Sequence, residues 1–304
     1  MTEFIPGILF TWVAIWILFA FTTNLLYPVI RPVLMELHPT TASSLLLSWI
    51  TLPAFSALIS SLLLFSPILS LMIADAECSS GSCVIAASAA HLVQLPTLII
   101  GFWLLVSGAT IFWRYWLPSH RLTRQLRYTC TASEHYSLLE SDTPAAFTLG
   151  WLNPKIYLTS GLLDQCDSDD ITCILNHEQA HQRRKDNLNQ LLARMFTSVL
   201  PNRLIQRQLD DYNLLCEQAC DLEASQFQPA DQIAGTLLKI ARLQSRRLPS
   251  GATAFVGGHV EERIMAVLKL QHAEPRSIHS LALISITLIF VSIPPILFHW
   301  LVLG

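Results

Sequence analysis

The sequence predicts an α-helical integral membrane protein with four transmembrane helices and an inserted α+β domain. Three observations lead there. The 304 residues are 52% hydrophobic and 13% charged, with net charge -3 and mean hydropathy +0.45, too apolar for an ordinary soluble domain. The excess lies in four stretches, about residues 7–30, 45–73, 92–113 and 281–303. Each reaches the ~20 apolar residues that cross a bilayer and holds no Lys, Arg, Asp or Glu. Between the third and fourth stretches runs the one long polar segment, with every Lys and Arg except Arg31. The expected organisation is three transmembrane helices in 1–116, a polar domain in 117–276 and a fourth helix in 277–304.

The first stretch lacks a basic leader and a small-residue cleavage site, so it reads as a retained span rather than a signal peptide. Pro28, Pro53, Pro67, Pro96, Pro294 and Pro295 lie in or at the ends of these spans and predict kinks. Arg114, Arg121, Arg124 and Arg127 follow the third stretch, and Arg263, Lys269 and Arg276 precede the fourth. By the positive-inside rule the polar domain is cytoplasmic, with both termini and the 74–90 loop outside. Cys78 and Cys83 in that loop either close a small disulfide or remain free thiols. Cys130, Cys166, Cys173, Cys216 and Cys220 fall on the reducing side and are expected to pack as small apolar groups.

The polar domain opens with a basic linker helix. Residues 145–150 and 155–159 then read as two β segments joined through Trp151-Leu152-Asn153-Pro154, with Gly161 turning the chain into helices that fill the remainder. Either strand could hold an extended peptide by backbone pairing or could simply pack on the helices.

The chemistry concentrates at His177-Glu178-Gln179-Ala180-His181. Histidines four apart share a helical face and can reach one metal, while Glu178 points at its water. The acidic cluster 167–170 supplies a cap and 173–175 an apolar lead-in, which places the motif inside a helix. A catalytic zinc needs a third protein ligand, and Glu217 on a downstream amphipathic helix is the best candidate. Asp221, one turn on, suits a carboxylate that orients a ligating histidine. One zinc ion, with Glu178 as general acid/base, gives metal-assisted hydrolysis of peptide bonds. His259 or Tyr212 could donate a hydrogen bond to the tetrahedral oxyanion. The basic groups at 183–185 and at Arg242, Arg246 and Arg247 read as solvated faces, and no nucleic-acid motif accompanies them.

Phe147-Thr148-Leu149-Gly150, residues 154–163, His177-Glu178-Gln179-Ala180-His181 with Arg184-Lys185-Asp186, and Glu217-Gln218-Ala219-Cys220-Asp221 together resemble the BlaR/MecR-type integral-membrane zinc metallopeptidases. The order of three spans, a gluzincin-type domain and a fourth span is similar too. The resemblance implies zinc on His177, His181 and Glu217, catalysis by Glu178 and a place in the bacterial inner membrane. It also implies signal transduction by proteolysis, with a transcriptional repressor as the protein substrate. A homodimer and self-cleavage are left open. Those receptors carry an extracellular penicillin-binding sensor after the fourth span, so with the chain stopping at Gly304 direct β-lactam sensing is not expected. Residues 200–202 also depart from the aromatic-rich Asn-Pro segment of such receptors. Two other readings stand beside this one: an HtpX-like quality-control protease, whose motif usually follows two spans, and a non-catalytic membrane sensor or scaffold.

Overall fold

The computed structural model describes residues 4–64, 99, 101–103, 106–245 and 259–270. The expected fourth span, nearly half of the third, the end of the second, and Cys78 and Cys83 lie outside these residues.

The first two apolar stretches form helices α1 (Phe4–Glu36) and α2 (Pro39–Leu64). Within them Ile8–Glu36 and Pro39–Leu62 are long and apolar enough to cross a membrane. The two helices form an antiparallel hairpin. Trp12 Nε1 donates to the Ala54 carbonyl (3.0 Å) and Ser61 Oγ to the Ile8 carbonyl (2.8 Å). Pro28, Pro32 and Pro53 are taken up inside the helices. The aromatic segment Phe112–Trp116 forms a π-helical turn that runs into α3 (Leu117–Thr129), the expected basic linker helix.

A four-stranded mixed sheet follows: β1 (Thr131–Ala132), β2 (Ser137–Leu139), β3 (Ala146–Leu149) and β4 (Lys155–Thr159), in the order β1-β2-β4-β3. The expected hairpin is the antiparallel β3–β4 pair, with Phe147 opposite Tyr157. Its turn needs Gly150, at φ 116°. The two short strands β1 and β2 were not anticipated, and β2 pairs with β4 in parallel. Gly161 opens the short helix α4 (Ser160–Leu163). A Cβ there would stand 2.4 Å from the Asp142 carbonyl oxygen, so the chain can turn only where the side chain is absent.

The remaining helices are α5 (Ser168–Arg184), α6 (Asp186–Thr197), α7 (Asn202–Ala224), α8 (Ala230–Ser245) and α9 (Val260–Leu270). Ile174 of α5 packs on the sheet through buried Ile156, Leu158 and Leu162. Cys173, one residue earlier, faces Ala224, Ala230, Ile233 and Val267 of the other helices. Burying a side chain such as Leu158 stabilises by about 1.5–3 kcal/mol, so α5 is fixed between two apolar layers. A third core joins Tyr27, Leu34, Ala42, Leu46 and Ile50 of the hairpin to Ala193, Leu209, Tyr212 and Leu215 of α6 and α7.

Candidate metal centre

Asp167 caps α5 as a full capping box: its side chain accepts from the Asp169 and Asp170 backbone N–H groups, and Asp170 reaches back to the Asp167 N–H. Asp170 is further tied to Thr236 Oγ1 (2.8 Å) and to Lys239 of α8. A start so fixed sets the register of every later residue on the helix, and His177, Glu178 and His181 follow within four turns.

Opposite them α7 presents Glu217. His177 Nε2 and His181 Nε2 stand 3.1 Å apart, each 3.5 Å from a Glu217 carboxylate oxygen. Tetrahedral zinc with bonds of 2.0–2.2 Å holds its ligand atoms about 3.3 Å apart, so the three groups fit that ion. Two ring nitrogens and a carboxylate converging within 4.8 Å form a set that could hold a metal ion. Zinc in such a set supplies Lewis acidity and makes water a nucleophile near neutral pH.

The outer nitrogen of each ring meets a buried carboxylate. His181 Nδ1 lies 2.8 Å from Asp186 Oδ2. That partner fixes the tautomer that leaves Nε2 bare for a metal. His177 Nδ1 lies 2.8 Å from Asp221 Oδ1 as an ion-pair contact, although its N–H direction falls short of a formed hydrogen bond. Burial disfavours the charged form of both rings. Asp221 with Glu217 at His177, and Asp186 with Cys220 and Glu217 at His181, together outweigh that effect and raise both rings above the ordinary histidine range. Burial likewise works against ionised Glu217, but the two histidines and Arg263 hold its carboxyl well below the usual range.

Arg263 of α9 donates through Nε and Nη2 to the two oxygens of Asp221 (2.8 Å each), and its Nη1 lies 3.1 Å from Glu217. Glu178 is buried at the inner wall, where Thr148 Oγ1 of β3 donates to its Oε2 (2.7 Å). Asn187 Nδ2 in turn donates to the Thr148 carbonyl (2.9 Å) and anchors that strand to α6. These groups line a cleft of about 340 Å³ whose other wall is 144–148 and α8.

Neither expected oxyanion donor lines the cleft. Tyr212 is buried in the core shared with α1 and α2. His259, half exposed at the start of α9, is directed to Glu262 at 3.7 Å. The thiols of Cys216 and Cys220 are pushed by burial up to about 11 and 12, so both stay protonated and neither offers a thiolate. A second convergent set, His181, Asp186 and Cys220, lies on the Nδ1 side of His181. Its contacts of 2.8 and 3.3 Å to the ring are those of hydrogen bonds.

The metal set thus joins an HExxH helix to an ExxxD helix in front of a small sheet. Residues 120–248 match peptidase family M48. The match supports the M48 metallopeptidase family and covers α3 through α8, including both halves of the metal motif. With the two long apolar helices it supports a membrane-associated zinc metalloprotease. No curated protein and no solved structure matches the chain.

Three residues of this site carried no sequence signal that assigned them a role. Asp186 follows the helix end, and it reaches His181 because Lys185, at φ 54°, breaks the chain between α5 and α6. Thr148 stood within a motif that reads as plain strand. Arg263 arrives from a separate helix beyond the matched segment.

Proposed function

We propose that this chain is a membrane-bound zinc endopeptidase in which His177, His181 and Glu217 hold the metal and Glu178 is the general acid/base. The observation that carries the reading is the placement of buried Glu178 beside the convergent His-His-Glu set, at the foot of an edge strand. Ala145 O accepts from Thr159 N, so by alternation along β3 the backbone N–H groups of Ala146 and Thr148 turn to the open edge. An extended peptide pairing there passes in front of Glu178, with its scissile carbonyl at the metal set. Glu178 accepts the proton of the attacking water and returns it to the departing amine. Asp186 and Asp221 hold the two rings in place while the charge shifts.

The substrate class we favour is a cytoplasmic or membrane-associated protein, with regulatory cleavage of a transcriptional repressor as the physiological event. The supporting observation is the resemblance of the motif series to BlaR/MecR-type peptidases. The same reading takes four spans, an inner-membrane location and a cytoplasmic 117–276 domain.

The test compares purified wild type with Glu178→Ala for bound zinc and for cleavage of a protein substrate. Zinc at one ion per chain in both, with cleavage at least about 10²-fold lower in the variant, is the expected result. Zinc in neither, or equal cleavage by both, would overturn the assignment.

A further inference from the structure

The segment joining the two metal-bearing helices runs deep along the membrane hairpin. At the top Arg184 Nη2 donates to Ser43 Oγ, near the start of α2 (2.9 Å). The α6 helix then descends. Phe196 meets the rings of Trp16 (centroids 6.3 Å apart) and Phe55 (5.3 Å). Val199 is buried among Ile15, Trp16, Phe19, Ala20, Ala54 and Ala57. From Ser43 to Ala57 an α-helix advances about 20 Å, so the α6–α7 turn lies that far below the top of the hairpin. The α7 helix climbs back alongside α1, with Gln208 on Asn24 and Asp211 on Tyr27.

Four arginines lie at and just above that turn. Arg194 lies over the Tyr115 ring, 5.2 Å from its centroid. Tyr115 belongs to the Phe112–Trp116 segment, which carries Arg114 and ends the third apolar stretch as an interfacial aromatic belt would. Arg203 and Arg207 are exposed on the first turns of α7, below Gln208 and its contact with Asn24. The uncharged run of α2, from Leu45 in sequence to Ile73, holds more than the ~20 residues of a span, so a bilayer edge at the level of these arginines fits it. Around these arginines the exposed side chains include Met195, Pro201 and Leu204.

We propose that the α6–α7 turn, residues 195–204, dips into the bilayer beside α1 and α2, with Arg194, Arg203 and Arg207 as a collar for lipid phosphates. The partner of this surface is lipid: acyl chains around the turn and anionic headgroups around the collar. A depth of about 5–10 Å is that of interfacial segments whose arginines snorkel to the headgroups. A bilayer reaching higher, along exposed Leu25 and Val29, would only immerse the turn further. The same geometry places Glu217, on the helix that rises from the collar, about 15–20 Å above the collar arginines.

The inference rests on α1 and α2 crossing the membrane, not on peptidase activity, and its test needs no variant. The full chain is reconstituted with phosphatidylglycerol bearing a diazirine in its acyl chain, irradiated and mapped by peptide mass spectrometry. Exposed Leu18 and Ile59 on the hairpin report acyl contact, and exposed Phe227 beyond α7 reports water. Adducts on 195–204 at yields comparable to those at Leu18 and Ile59, and none at Phe227, are expected. Labelled Leu18 and Ile59 with an unlabelled turn would overturn the proposal. Absence of adducts at Leu18 and Ile59 would overturn the membrane placement beneath it, while the cleavage test of Glu178→Ala would stand unaffected.

Discussion

The joint between α1 and the metal-bearing α7 invites a quantitative test. Asp211 accepts from Tyr27 Oη (2.8 Å) and from Arg31 Nε and Nη2 (2.6 and 2.8 Å). Its side chain is 8% exposed and that of Arg31 is 32% exposed. Arg31→Met keeps most of the stem and deletes the charge, leaving a buried carboxylate with one neutral donor. Breaking a buried pair from one side costs about 3–5 kcal/mol, and solvent at the arginine reduces this to about 2–3 kcal/mol. At roughly 2–4 °C per kcal/mol for a large domain, Tm falls by about 4–12 °C. Asp211→Asn retains the Tyr27 contact and costs less. The double variant recovers part of the loss, because neither charge is then stranded. Thermal unfolding of all four proteins in one detergent gives the cycle. Additive losses, or an Arg31→Met Tm within a degree of wild type, would refute the claim that this pair binds the first span to α7.

Asp186→Asn should weaken zinc affinity by about 10- to 100-fold, read by competition with a chelating dye, because His181 loses the carboxylate that fixes its tautomer. Thr148→Val should keep zinc and lower kcat by about 10- to 100-fold, the equivalent of one hydrogen bond to a charged group. The backbone N–H of Asp170 and the charge of Lys239 hold the Asp167 carboxyl below its ordinary 3.8 against a smaller effect of desolvation. A depressed folded value means that the cap stabilises above pH 3.8 and that this contribution is lost as pH falls through the lower folded value. Asp167→Asn, which caps without titrating, should therefore flatten that acid limb when α5 helicity is followed by circular dichroism.

The convergence of His177, His181 and Glu217 was legible because its signal is periodic. His177 and His181 are one turn apart, as are Glu217 and Asp221, and each pair needs only a helix to share a face. The same holds for the Asp167 cap and for the β3–β4 hairpin, whose turn residues are local. The supporting groups were not legible because no period links them to the site. Asp186 depends on a left-handed residue, Lys185, that no propensity favours. Arg263 meets Asp221 across 42 residues and Arg31 meets Asp211 across 180, separations that only tertiary packing resolves. Two-residue β1 and three-residue β2 are too short to alternate visibly; β2 forms on β4 and β1 on β2.

The displacement of Tyr212 follows from helix geometry and shows how α7 divides its work. Residues five apart on an α-helix point about 140° from each other, so with Glu217 at the metal Tyr212 faces nearly the opposite way. That opposite side is the one α7 lays on the hairpin, where Leu209, Tyr212, Leu215 and Cys216 are buried with Tyr27, Leu34 and Leu46. One rigid rod therefore carries Glu217 of the His-His-Glu set on one face and the contact with the apolar hairpin on the other. Any shift of α1 or α2 that moves the buried face by a fraction of a turn must move Glu217 against His177 and His181 by a similar angle. With ligand atoms only 3.1–3.5 Å apart, little such movement is tolerated before the set opens. The polar contacts of Arg31, Asn24 and Ser43 are placed to prevent it.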